Sequence, residues 1–319
     1  MAWWIGGVIL VMAAAAAWMT QPLPFRRTRA PDAVSADPDR LMRRVRELVG
    51  RFRPRDGGHP ENMQRAAEWI AGELRAAGGA VSEQRFETAA AAYVNVVAAY
   101  GPDTPDVVVV GAHYDVAGEM PGADDNASGV AGLLELAELL SGATLSHRVE
   151  LVFFALEEAP YFGTPGMGSE VYAAALEKSG RRVRAMLCLE MIGCFTDAPG
   201  SQQLPFGVLK LFYPTRGNFV AVVGSAGGAG IVRRVKAAMR EASDLPVFSI
   251  NAPRFVRGVD LSDHATFWKR GLPAVMITDT AFYRNPRYHT AADTPDTLDY
   301  RRMAEVVSGV RKAVVALAF

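Results

Sequence analysis

The sequence predicts an α/β fold, a mostly parallel sheet with helices packed on both faces. Three observations predict it. Apolar runs of strand length, such as "VVVVGA" at Val107–Ala112 and "ELVFFAL" at Glu150–Leu156, are continuous rather than alternating, as in strands covered on both sides. Other segments carry apolar residues at helical spacing. The two kinds alternate along the chain, which points to crossover connections in a three-layer α/β/α sandwich. With 319 residues, half of them hydrophobic, the chain can bury a sizeable core. Lys and Arg number 34, as do Asp and Glu, and no basic stripe is visible, which argues against a nucleic-acid partner.

The chain opens on an uncharged run, Trp3 to Met19, with Trp3, Trp4 and Trp18 at its ends and Arg26, Arg27 and Arg29 after it. Residues 1–20 therefore read as a transmembrane anchor or a signal segment. Residues 21–38, with Pro22, Pro24, Pro31 and Pro38, read as a linker, and 39–319 as one domain. Leu41–Arg53 and Asn62–Ala77 are expected helices. Ala90–Tyr100 and Val107–Ala112 are expected strands, then a helix at Gly129–Leu140 and a buried strand at Val149–Leu156. Further strands follow at Met186–Met191, Phe219–Val223 and Ala274–Thr278. Helices at Ile231–Ala242, Ser262–Arg270 and Tyr300–Val315 complete the pattern. Cys188 and Cys194 are too few for a disulfide framework and read as small buried hydrophobes.

The chemistry-bearing residues fall at the strand ends. His113 and Asp115 end "VVVVGAH", Glu157 and Glu158 follow "ELVFFAL", Glu190 ends "MLCLE", and His289 lies in the loop after "AVMIT". "GADDNASG" (Gly122–Gly129) puts Asp125 between a strand and a helix. Ligands of open sheets bind beyond the carboxyl ends of strands, so these distant stretches converge on one edge. His, Asp and Glu without Cys form a nitrogen and oxygen donor set suited to zinc, with manganese or cobalt as alternatives. His113, Asp125, Glu158, Glu190 and His289 suffice for two ions with one bridging carboxylate and open positions for water. Of the adjacent Glu157 and Glu158, one can ligate while the other serves as general base. Asp115, two residues after His113, is placed to orient its imidazole. His59 and His147 match nothing and read as surface residues.

At these residues the sequence resembles the co-catalytic zinc aminopeptidase family, which includes secreted bacterial aminopeptidases, glutamate carboxypeptidase-like enzymes and, more distantly, glutaminyl cyclases. The matching blocks are "GAHYD", "PGADDNASG", "FFALEE", "LEMIG", "SDHATFW" and "NPRYHTAADTPDTLD", in family order from Gly111 to Asp299. The resemblance implies a zinc-exopeptidase sandwich over 39–319 and two Zn2+ ions. His113 and Glu190 would hold one ion and Glu158 and His289 the other, with Asp125 shared and Glu157 as general base. It also implies a cis peptide after Asp125, with Asp124 supporting the turn. His264, Tyr283 and Tyr288 are expected to bind substrate, with Asn285 near them. Two departures stand out. Glu190 replaces the Asp of many members, and "APYFGTPGMGS" after Glu158 is longer than the usual turn.

The expected reaction is removal of N-terminal residues from peptides by a metal-held hydroxide. A one-zinc glutaminyl-cyclase-like acyltransferase, an amidohydrolase on a small amide and a non-enzymatic binding domain are the alternatives. The expected localisation is membrane-anchored through residues 3–19 or secreted, with the domain outside the cytoplasm. The arginines after Met19 pull the other way.

Overall fold

In the computed structural model, residues 2–23 and 34–319 are described; the rest of the expected linker, 24–33, lies outside them. The elements are α1 (Ala2–Thr20), α2 (Pro38–Arg51), α3 (Pro60–Ala76), β1 (Ala80–Glu87), β2 (Ala92–Tyr100), β3 (Asp106–His113), α4 (Gly129–Leu140), β4 (Arg148–Phe154), α5 (Gly168–Lys178), β5 (Arg182–Glu190), β6 (Val220–Gly224), α6 (Ala229–Ala242), β7 (Val247–Asn251), α7 (His264–Lys269), β8 (Ala274–Thr278) and α8 (Tyr300–Leu317).

The eight strands form one sheet in the order β1-β2-β4-β3-β5-β8-β6-β7. Its centre, β4-β3-β5-β8, is parallel throughout. The antiparallel pairs are β1/β2, β2/β4 and β8/β6, so the sheet is mixed. All the expected strands form. The sequence reading missed β1, α5 and β7. β1, "AVSEQRFE", is an edge strand whose residues are exposed or half-buried, so no apolar run marks it. β7 has only five residues.

Two apolar layers flank the sheet. One packs Leu41, Leu74, Leu133, Val235 and Val310, from α2, α3, α4, α6 and α8, against inward side chains such as Val108 and Leu187. The other packs Tyr172 and Leu176 of α5 and Phe267 of α7 against Val109, Val152 and Met186. Because successive strand residues face opposite layers, the central strands need apolar side chains on both faces, which is why they read as unbroken runs.

α1 covers the stretch expected to anchor the chain. Among the described residues no helix is long and apolar enough to cross a membrane. Its carboxyl end is docked on β7. Asn251 Nδ2 donates to Trp18 O (2.8 Å), and Ser249 Oγ to Thr20 O (2.8 Å). Lys236 Nζ donates to Thr20 O (2.8 Å) and Gln21 O (3.0 Å). The carbonyls left over at a helix end thereby find side-chain donors, one of them cationic.

Candidate metal centre

Every expected ligand lies at the carboxyl edge of the sheet. His113 is the last residue of β3 and Glu190 the last of β5. Glu157 and Glu158 follow β4, and His289 lies in the loop beyond β8. Among the described residues, two triads could each hold an ion: His113, Asp125 and Glu190, and Asp125, Glu158 and His289. Asp125 belongs to both. Its Oδ1 lies 3.3 Å from His113 Nε2 and its Oδ2 3.0 Å from His289 Nε2. Glu190 Oε2 is 3.5 Å from His113 Nε2, and Glu158 Oε1 is 3.2 Å from His289 Nε2.

The donors fit divalent metal. All are nitrogen or carboxylate oxygen, and Asp125 turns one oxygen to each triad. Glu158 Oε1 is buried without a hydrogen-bond partner, an unmet acceptor where a cation would sit. Burial raises the Glu157 carboxyl well above its ordinary range and Glu158 to about 7. Burial alone would lower the two imidazoles, but the surrounding carboxylates carry His113 well up and His289 to about 10. Without metal, protons take the place of cations in this cluster.

The "ADDN" turn divides its labour. Asp124 Oδ1 accepts from Gly193 N (2.9 Å) and its Oδ2 from Asn285 Nδ2 (2.7 Å), which ties the turn to the segments after β5 and β8. Asn126 Nδ2 donates to Leu189 O (2.9 Å), and its Oδ1 accepts from Met191 N and Gly129 N (both 3.1 Å). With its neighbours so occupied, Asp125 is left to face the ligands. The Asp125–Asn126 peptide is cis, as the resemblance implied. Gly122 opens the turn at φ 57°, and a Cβ there would stand 2.2 Å from Val116 Cγ1 and 2.3 Å from Asp125 O. Only glycine fits that approach.

The Glu157–Glu158 turn is fixed by Asp115, which accepts from both backbone N–H groups at 3.0 Å. Asp115 Oδ1 also lies 3.3 Å from His113 Nδ1. Three non-glycine residues at or beside the ligands have left-handed φ: Leu156 (60°), Met191 (48°) and His289 (55°). Such strain gathers where surrounding structure over-determines the backbone.

An apolar pocket opens beside Glu190, lined among others by Phe219, Val223, Ile250, Met276, Tyr283 and Tyr288. Tyr288 also stacks on His289 at 3.8 Å. Tyr283 and Tyr288, two of the residues expected to bind substrate, both line this pocket. His264 does not: it is fully buried outside the pocket lining, with Nε2 2.8 Å from Val259 O and its ring edge-on to Trp268. Asn285 is likewise occupied with Asp124. His59 and His147 are half-buried, one against Asp56 and the other against Arg184.

Sequence reasoning missed several supporting groups. Asp293 accepts from the backbone N–H of Asp124 and Asp125 (2.9 and 3.1 Å), and Asp279 from Cys194 N and Ala281 N. Both lie just past recognised blocks or inside them, but nothing in their spacing marks a role. Asp263 is fully buried beneath the cluster with both oxygens unpartnered, and burial raises it to about 7. Arg55 had no signal at all. Its fully buried guanidinium donates to Tyr114 O (3.0 Å), Pro121 O (2.8 Å) and Gly122 O (2.7 Å), stapling the segment after His113 to the one before Asp125. Arg55→Met leaves three buried carbonyls without donors. It is expected to lower stability by ~3 kcal/mol or more in urea unfolding. Arg55→Lys is expected to recover only part of that, since one ammonium does not reproduce the three-way fork. Equal midpoints for all three proteins would refute the staple.

The model of peptidase family M28 matches residues 95–314, which is most of the chain and takes in all five candidate ligands. The chain belongs to peptidase family M28. Among its relatives, the uncharacterized protein YfbL of Escherichia coli strain K12 is 46% identical over 283 residues, covering 86% of this chain and 87% of that one. A probable leucine aminopeptidase 1 of Trichophyton verrucosum is 25% identical over 263 residues. Those residues are 76% of this chain but 64% of the fungal protein, so this chain spans under two-thirds of that relative. The fold matches that of a zinc aminopeptidase from Bacillus subtilis, with a TM-score of 0.72 at 15% identity over 89% of this chain and 95% of that one. It also matches a glutaminyl cyclase from Fimbriiglobus ruber, at 0.68 and 22% identity over 92% and 99%. At these identities the two structures speak to fold alone.

Proposed function

We propose that this M28 protein is a zinc-dependent aminopeptidase with two ions per chain, removing bulky apolar residues from the free N-termini of peptides. The observation that carries the reading is Asp125, with one oxygen turned to each triad. Zinc in both triads would supply Lewis acidity toward the scissile carbonyl and lower the pKa of the attacking water. The chain's own residues do the rest. Glu157, held by Asp115 through its backbone and assigned no ligand role, takes the proton from the attacking water and delivers it to the leaving amine. The pocket beside Glu190 receives the side chain of the N-terminal residue.

The test is incubation of zinc-loaded protein with mixed peptides, some starting with Leu and some with Gln, read by mass spectrometry beside a chelated control. Stepwise loss of N-terminal residues is expected, and its absence overturns the reading. Loss of ammonia from the Gln peptides alone would hand the site to cyclase chemistry instead. The pocket makes a second prediction. Ile250 lines it and is half-buried, so Ile250→Phe is expected to fill space there. The kcat/KM for N-terminal Leu should fall about tenfold relative to N-terminal Ala. An unchanged ratio would mean that the side chain binds elsewhere. The membrane association expected from residues 3–19, and a position outside the cytoplasm, remain part of the proposal. The first is supported by the uncharged sequence of that segment, the second by the resemblance to secreted aminopeptidases.

A further inference from the structure

The pocket beside Glu190 is long as well as apolar. Its floor is two rows of side chains on one face of the sheet. Thr278, Ala221 and Phe248 are register partners across β8, β6 and β7, and Met276, Val223 and Ile250 form the next row. Glu190, the last residue of β5, stands one strand further on. At ~4.8 Å between strands and ~3.4 Å between residues, the floor runs ~14 Å from Glu190 to β7 and is ~7 Å wide. Leu209, Tyr213 and Val256, from segments outside the sheet, complete the wall.

The side chain of one N-terminal residue does not fill that length. Leucine offers four carbons, and an extended hydrocarbon advances ~1.3 Å per carbon, so it covers about one strand. A straight chain of about eight to ten carbons reaches ~10–13 Å, which matches the floor.

Polarity separates a hydrocarbon from a longer peptide. Among the described lining residues the charged ones are Glu190 and Arg257. Glu190 is at the metal end, and Arg257 is exposed with its guanidinium over the Phe282 ring at 5.0 Å. Tyr213 Oη donates to Ser249 O, Ser249 Oγ to Thr20 O and Gln202 Nε2 to Thr280 Oγ1, each at 2.8 Å. These groups are committed to the protein itself. A peptide laid along the floor would bury amides without partners, whereas a hydrocarbon needs none.

We propose that the centre has a second activity: hydrolysis of N-acyl amino acids and peptides whose acyl group is a straight chain of about eight to ten carbons. The chain lies along the two rows, with its carbonyl at the triads and the amino-acid part outside the pocket. Water adds to the acyl carbon and the C–N bond breaks. Glu157 carries the water's proton to the departing nitrogen, so the products are a carboxylate and a free amine. This rests on the hydrolytic reading of the metal centre. It does not require the aminopeptidase reading, because no free amino group takes part.

The test gives the zinc-loaded full chain a series of N-acetyl-, N-butanoyl-, N-octanoyl- and N-decanoyl-alanine, beside Leu-Ala and a chelated control. The kcat/KM is expected to rise at least about a hundredfold from acetyl to octanoyl. A flat or falling series beside turnover of Leu-Ala overturns the acyl activity and leaves the aminopeptidase. Turnover of the octanoyl substrate without Leu-Ala keeps the acyl activity and removes the aminopeptidase. No turnover of any substrate overturns both. Ala221 lies midway along the floor, so Ala221→Leu should lower the octanoyl-to-butanoyl ratio of kcat/KM about a hundredfold. Ala221→Val should lower it about tenfold, which keeps the test open if the larger side chain prevents folding. An unchanged ratio in a folded variant overturns the placement of the chain. Calorimetry on the metal-free protein reads the same site without turnover. N-octanoyl-alanine should bind at least about tenfold more tightly than N-acetyl-alanine, and equal affinities would overturn the proposal.

Discussion

Glu157→Gln is expected to lower kcat by about three orders of magnitude while leaving the protein folded and metal-loaded. The substitution keeps the shape of the side chain and removes its ability to carry a proton. Glu157 is not among the residues of either triad, so both donor sets stay complete. Its backbone N–H is held by Asp115 whichever side chain follows, so the turn that delivers Glu158 is undisturbed. Stability should hold or rise slightly, because a buried carboxylate beside Glu158 and Glu190 is replaced by a neutral amide. Kinetics, metal analysis and a thermal melt on the same preparation separate the effects. A loss below tenfold would remove Glu157 from the proton transfer, and a loss of metal would make it a ligand instead.

Removal of metal is expected to abolish activity and to change the sign of the pH response of stability. In the stripped protein Glu157 is raised well above its ordinary range and Glu158, Asp263 and Asp293 to about 7, all by burial. His113 and His289 are raised as well, by the carboxylates that face them. Each of these groups holds a proton more tightly folded than unfolded. Their contribution is therefore present at low pH and lost as pH climbs through the folded values. Asp125 is depressed and opposes this, but it stands against six. The melting temperature of the stripped protein should fall between pH 5 and pH 8. Metal binding displaces protons from the same ligands, so its stabilisation grows over that interval. The gap between loaded and stripped melting temperatures should be widest at pH 8. A gap that narrows with pH would mean that the ligands are not the groups that titrate.

Much of this architecture was legible because it follows from residue type. The buried central strands β3, β4 and β5 announce themselves as unbroken apolar runs, and their carboxyl ends carry His113, Glu157, Glu158 and Glu190 in plain view. Charged and imidazole side chains directly after such runs have few reasons to be there other than chemistry. What stayed hidden depends on tertiary approach. Arg55 bonds to carbonyls, which any sequence supplies, so nothing in its neighbourhood marks it. His264 looked like a pocket residue because it sits in a recognised block, but its own turn brings Val259 O to its ring and it packs on Trp268. β1 and β7 were missed because half-exposed or very short strands lack the apolar run that identifies their neighbours.

The five ligands come from segments that begin at His113 and end at His289, and four parallel strands must pair before those segments share one edge. Pairings of this kind close long loops and form late in folding. A partly folded chain therefore offers scattered single ligands rather than a working triad. On the proposed function, hydrolytic power would arrive only with the finished sheet.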